Sequence, residues 1–374
     1  MQYCDNYGDI EGLKAKIAAA IQDLGGLGLF VSPGERVLLK PNLLIRKDPG
    51  DAATTHPAVI KALAGLLIEH GASVLIGDSP GGPFTEFMLR GMYKTTGMAR
   101  AAEETGAALN KNCASFTREN PDGALLKRIV MADMLNDADK VISVAKLKTH
   151  GMMTYTGAVK NMFGTIPGLA KVEYHNNMPD YGNFADALVD ICQCAGPALS
   201  IIDGVVGMEG QGPSSGKPRA LGCLICSASP YHADKAACAV IGLKPRDVPV
   251  LAAAARRGLC TADIDDIDFA GEPLSRFVVD NFDVRVNPPD VLSGLAFIGG
   301  LLRNKLVFHH DVCTGCGVCA QNCPAKVISM ESGRPKADLK GCLRCYCCHE
   351  LCPSKAVEIK RPLITRPFLK GGAR

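Results

Sequence analysis

Eight cysteines near the C-terminus repeat one spacing. Cys313, Cys316, Cys319 and Cys323 are separated by two, two and three residues, and Pro324 follows. Cys342, Cys345, Cys348 and Cys352 repeat the pattern, and Pro353 follows. Two-residue spacers let three thiolates of one tight loop reach three corners of an iron–sulfur cubane, while the fourth cysteine ligates the other cluster. The spacing thus assigns Cys313, Cys316, Cys319 and Cys352 to one [4Fe–4S] cluster, and Cys342, Cys345, Cys348 and Cys323 to a second. Such centres move electrons one at a time. Cys347 falls out of register and reads as a small buried hydrophobe. Paired CxxC motifs also bind zinc. Four evenly spaced cysteines with a trailing proline, twice over, favour clusters. A disulfide framework is disfavoured because this spacing serves metals.

A second group of reactive side chains lies mid-chain. Lys146, Lys148, His150, Lys160, Lys171 and His175 fall within thirty residues. With Lys40 and His56 they form a candidate anion cradle for carboxylate or phosphate. A desolvated lysine among other cations has a lowered pKa and serves as acid, base or nucleophile.

The elements that must position these groups read as alternating strands and helices. Ile10, Leu13, Ile17, Ile21 and Leu24 recur at helical spacing. Thr54-Thr55-His56-Pro57 opens a second helix, with a threonine cap and proline in the first turn, and Gly71 ends it. Val37–Leu39, Val74–Ile76, Val141–Val144, Ser200–Ile202 and Leu224–Cys226 are short apolar strands. The alternation predicts an α/β fold with a largely parallel sheet and flanking helices. In such a sheet the strands' C-terminal ends share one edge, where ligands bind. Lys40 and Asn42, Asp78 and Ser79, Lys146 to His150, Asp203, and Asp234 follow the five strands in turn. Thr55, Thr149 and Asn161 complete the expected anion-binding set.

Gly207 to Lys217 resembles a phosphate loop but fails the Walker spacing, and Pro218 stands where Ser or Thr belongs. A dinucleotide fingerprint is also absent, so no nucleotide cofactor is expected. The glycines suit either backbone approach to an anion or a lid over the sheet edge.

The 374 residues divide into an α/β domain over 1–286, a packed connector over 287–304, a small α+β two-cluster domain over 305–362 and a tail over 363–374. Hydrophobic content of 47% supports a large core, and a net charge of +3 implies no nucleic-acid partner. No apolar run is long enough to span a membrane, and the N-terminus lacks a signal-peptide pattern. Seventeen cysteines, nine in the cluster segment, fit a reducing cytoplasm. Oxygen-sensitive cubanes fit an anaerobic setting. From Leu306 onward eleven Lys/Arg stand against five Asp/Glu, which is a solvated surface or a dock for an acidic electron donor.

The motifs Lys40-Pro41-Asn42, Thr55-His56-Pro57, Gly77-Asp78-Ser79, Lys146 to His150 and Thr156 to Gly164 together resemble the family catalogued as domain of unknown function 362. Asp203, Gly210 to Pro213, and Asp234 extend the likeness, which runs from about Val37 to Leu259. Many members carry a bacterial-type two-[4Fe–4S] ferredoxin module, as this chain does. The body is more remotely similar to the lactate racemase group, a fold-level analogy.

Three functions compete. The first is a reductase: an external low-potential donor such as ferredoxin charges the clusters, and a small anion at the sheet edge is reduced. Lys40, Lys146, Lys148 and Lys160 hold the anion. His56, His150 or His175 donates protons, oriented by Asp78 or Asp234. The second is a non-catalytic carrier that docks a partner enzyme. The third is a non-redox lyase, isomerase or racemase with structural clusters.

Overall fold

The computed structural model describes residues 1–284, 286 and 304–360. The main sheet contains β1 (Gln2–Tyr3), β2 (Arg36–Pro41), β3 (Ser73–Ile76) and β4 (Ala108–Leu109). A separate hairpin, β5 (Ser115–Glu119) and β6 (Arg128–Ala132), comes next. The sheet resumes with β7 (Lys140–His150), β8 (Thr154–Thr156), β9 (Leu199–Glu209) and β10 (Lys217–Ser227). Its order is β1-β10-β9-β7-β2-β3-β4, with β8 hung on β7.

β4, β3, β2, β7 and β9 run parallel. Parallel strands are covered on both faces and read as continuous apolar runs. Accordingly Val37, Leu38 and Leu39 are all fully buried. Alternation along the strand sends Val37, Leu39, Ile142 and Val144 to one core and Leu38, Ala145 and Leu147 to the other.

Two expectations need correction. β10 is antiparallel to β9, so the end of Leu224–Cys226 points to the opposite edge, and four strands rather than five deliver groups to the shared one. The helix Pro57–Glu69 is capped by His56, whose Nδ1 accepts from the Ala58 amide, and not by a threonine. Thr55 instead accepts from the Asn42 amide and donates to the Val144 carbonyl. The helix's apolar stripe, with Leu63 and Leu67 fully buried, contributes about 1.5–3 kcal/mol per such side chain.

The C-terminal module pairs β11 (Lys305–Phe308) with β14 (Val357–Lys360), and β12 (Ile328–Glu331) with β13 (Arg334–Ala337). Its two cysteine loops repeat one backbone. Residues two and four places after the leading cysteine are left-handed in both: Gly315 and Gly317, then Arg344 and Tyr346. Each loop then enters a single helical turn, Val318–Gln321 or Cys347–Glu350.

The module packs against the α/β body. Leu306, Tyr346, Val357 and Ile359 share a core with Met152, Met153 and Phe282. The Gln211 side chain donates to the Ile359 carbonyl and accepts from its amide. His349 bridges the Gln211 and Val357 carbonyls. Lys47 donates to the Pro353 carbonyl at 2.9 Å, and Lys355 pairs with Asp51 at 3.0 Å. The glycine-rich loop is thus a seat for the cluster module. Most of the expected connector, 287–303, and the expected tail lie outside the described residues.

Candidate active site

A cleft opens where the sheet edge meets the cluster module. Lys40, Asn42, Asp78, Ser79, Lys148, His150, Lys160, Asn161, Lys171 and His175 line it from the body. Asn322, Cys347, Glu350 and Leu351 line it from the module.

Lys40 leaves β2 on the same side as Leu38. It is 1% exposed. Its Nζ lies 2.7 Å from Asp78 Oδ1 and donates to Asn161 Oδ1 and the Pro41 carbonyl. Burial lowers its pKa, with Asp78 opposing. Asp78 also accepts from the Leu43 amide. Gly164 passes so close that an added Cβ would lie 2.1 Å from Asp78 Oδ1 and 2.4 Å from Lys40 Nζ, so only glycine fits there. Asn161 donates to the Lys40 carbonyl and to Ser143 Oγ, which fixes its amide.

Lys148 donates to Asn42 Oδ1 and the Ala53 carbonyl, and burial holds its pKa well below the ordinary lysine value. Lys171 donates to the carbonyls of Ser79 and Ile166. Burial pulls its pKa down to about 7. Lys160 rests 5.6 Å from the centroid of Phe163.

His150 is held in one tautomer. Its Nδ1 accepts from the amides of Met152 and Met153, so the ring proton sits on Nε2, which lies 3.0 Å from Glu350 Oε1. Burial lowers its pKa to about 4. His150 therefore turns its Nε2–H toward the Glu350 carboxylate. His175 packs on Phe184 at 4.5 Å, edge-on to Phe163. Its Nδ1 has no hydrogen-bond partner among the described residues, and burial again lowers its pKa to about 4.

Six expected site residues lie elsewhere. Lys146 shares the face of Val144, opposite that of Lys40. It forms a fully buried ion pair with Asp203 at 2.9 Å. Tyr7 donates to Asp203 at 2.7 Å and stacks on His56 at 3.6 Å, closing this network. Thr55 braces β7, as described above. Thr149 bonds Gly210 and Gly212 and so holds the glycine-rich loop. Asp234 accepts from the Ala158 and Val159 amides and from Tyr155, fixing the short helix Ala158–Asn161 that carries Lys160.

The cysteines fit iron–sulfur clusters. Cys323, Cys342, Cys345 and Cys348 line one apolar cavity beneath Leu306, Ile328 and Leu339, the same four that the spacing groups together. Backbone amides of Gly315, Arg344 and Ala356 donate to the sulfurs of Cys313, Cys342 and Cys352 at 3.2–3.4 Å, and such bonds favour thiolate. Among the described residues no three Cys, His, Asp or Glu side chains form a single-ion site; thiols set around a cavity suit a cubane. Cys347 is buried, as expected, but faces the cleft.

The sequence profile of the family described as Domain of unknown function (DUF362) matches residues 37–239. That of a 4Fe-4S dicluster domain matches residues 305–353. A thylakoid-associated protein of Synechocystis sp. is 34% identical over 288 residues, covering 76% of this chain and 86% of its own. A Thermotoga maritima protein solved by a structural genomics consortium superposes with a TM-score of 0.36 at 14% identity, covering 64% of this chain and 59% of that one. The lactate racemase apoprotein of Thermoanaerobacterium thermosaccharolyticum gives 0.37 at 14% identity, with 62% and 54% covered. The chain thus spans less than two thirds of either solved structure.

Proposed function

The chain belongs to the DUF362 family and carries a 4Fe-4S dicluster domain at its C-terminal end, and from that premise we propose an iron–sulfur oxidoreductase. It passes low-potential electrons to a small carboxylate or phosphate held in the cleft. Two [4Fe–4S] clusters, one on Cys313, Cys316, Cys319 and Cys352 and one on Cys342, Cys345, Cys348 and Cys323, supply one electron each when bound.

One observation carries the reading. The turn Cys347–Glu350 is a shared wall: Cys348 lines the cluster cavity, while Cys347 and Glu350 line the cleft. Electrons leaving the inner cysteine set need cross only this turn. Cys316, in the outer set, is exposed, and an external donor such as ferredoxin docks there.

In the cleft Lys148, Lys160 and Lys171 hold the anion, and the Lys40–Asp78 pair fixes the floor. His175, whose Nδ1 is unpartnered, relays a proton taken from solvent. Phe163, Leu44, Val172 and Leu351 make part of the wall apolar, which strengthens each of these contacts. No helix among the described residues is long and apolar enough to cross a membrane.

Anaerobic reduction with a low-potential donor, followed by candidate anions, tests the reading. An anion that restores the oxidised cluster absorbance, and fails to do so with Lys148→Met, is the expected result. Clusters that stay reduced with every bound anion overturn it.

A further inference from the structure

The cleft contains more positive charge than the protein neutralises. Lys40 is paired with Asp78. Among the described residues, Lys148 and Lys171 bond only neutral oxygens of Asn42, Ala53, Ser79 and Ile166. Lys160 has neither an ion pair nor a hydrogen bond among the described residues, only the Phe163 ring beneath it. The other carboxylate, Glu350, is engaged by His150, which is neutral in its fixed tautomer, as is His175 with its lowered pKa. Were all four lysines charged, Asp78 and Glu350 would leave an excess of two positive charges.

Phe163, Leu44, Val172 and Leu351 make much of the wall apolar, and unpaired charge in such surroundings is costly. Two routes remove it: loss of protons, or a ligand of matching charge. With no ligand bound, burial favours the first, since Lys148, Lys160 and Lys171 all have lowered pKa values. A ligand with two negative charges reverses this and recharges the lysines. Lys160 and Lys171 both stand over the same Phe163 ring, 5.6 and 5.9 Å from its centroid.

We propose that the cleft selects a small dianion with an apolar body, a dicarboxylate or a phosphate monoester, and that Lys160 is the residue that distinguishes two charges from one. The inference rests on the reading of the cleft as the substrate site. Lys148 and Lys171 are already oriented by the protein and hold the first charge. Lys160, which has neither an ion pair nor a hydrogen bond among the described residues, takes the second.

Calorimetric titration of the cluster-loaded protein at about pH 7.5 tests this, with propionate, succinate and methyl phosphate in two buffers of different ionisation enthalpy. Succinate or methyl phosphate should bind at least about tenfold more tightly than propionate. Uptake of about one proton should accompany the preferred dianion. Whichever dianion wins distinguishes carboxylate from phosphate. Lys160→Met should bring the three ligands to within about twofold, and Lys160→Arg should restore the preference. Unchanged cluster absorbance and melting temperature show that each variant is folded. If Lys160→Met does not fold, proton uptake by the native protein decides. Equal affinities on the native protein, or binding without proton uptake, overturn the proposal. If propionate binds and reoxidises the clusters with no preference for dianions, this proposal falls and the oxidoreductase reading stands. If no anion binds at all, the cleft is not the substrate site and both fall.

Discussion

Val318–Gln321 and Cys347–Glu350 are the same helical turn in two copies of one loop, five residues after Cys313 and Cys342 respectively. Gln321 is exposed and Glu350 is buried against His150. Val318 stands where Cys347 lines the cleft. Cys316 is exposed and its counterpart Cys345 is buried. The outer copy uses glycine at both left-handed positions, whereas the inner copy holds Arg344 and Tyr346 there. Left-handed non-glycine residues cost on the order of 1 kcal/mol each. Tyr346 offsets this by burying its ring and accepting from Asn304. Ligand spacing is therefore common to both copies, and the residues between the ligands decide whether a copy faces solvent or cleft.

The strongest way to break this comparison is to delete one ligand from each copy. Cys316→Ala and Cys345→Ala should each lose about half of the iron and labile sulfide. Cys345→Ala should also cost about 3 kcal/mol or more in anaerobic melting, because its cluster fills the inner cavity, and Cys316→Ala should cost much less. Equal losses would show that burial does not separate the copies.

Next in size is the pair of turns. Glu350→Ala removes the buried carboxylate that lies 3.0 Å from His150 Nε2 and should cost about 1–3 kcal/mol. Gln321→Ala, on the exposed turn, should stay within about 0.5 kcal/mol. Chemical denaturation of both variants measures the contrast.

A pH scan sharpens the cleft side. The folded pKa of Lys171 is depressed to about 7 from an unfolded value near 10.5. Between these values the unfolded chain binds more protons, so stability rises with pH from about 7 to 10 and is lost as pH falls through 7. Part-exposure limits the effect to about 1–2 kcal/mol. Melting temperatures of Lys171→Met should lack this slope.

The smallest effects come from the left-handed positions. Gly315→Ala places a Cβ 2.6 Å from the Gly333 carbonyl at a positive φ and should destabilise by about 1–2 kcal/mol. Arg344→Gly relieves strain at φ 56° while loosening the unfolded chain, for a net change of about 0.5 kcal/mol or less. Similar shifts for both would erase the backbone distinction.

Much of this was legible in the sequence because it is local. Cysteine spacing grouped Cys323 with Cys342, Cys345 and Cys348, and apolar runs located β2, β3, β7 and β9. The direction of β10 was not legible, since a period of two carries no polarity. Lys146 and Lys148 looked equivalent, yet the ladder with β9 shifts register between them, so one closes a buried pair and the other reaches the cleft. Glu350 was missed because its partner His150 lies two hundred residues away. Aligning the two cysteine copies, where Gln321 and Val318 give way to Glu350 and Cys347, was the available signal.

The clamp from Gln211 to Ile359 has a further consequence. A side-chain amide that pairs with a backbone N–H and C=O is indifferent to the side chain it holds. This one contact of the joint is thus read from main-chain geometry. The side chain of Ile359 is held separately, by burial in the core shared with the body beside Gly151. The body thus offers the module's last described strand a backbone socket.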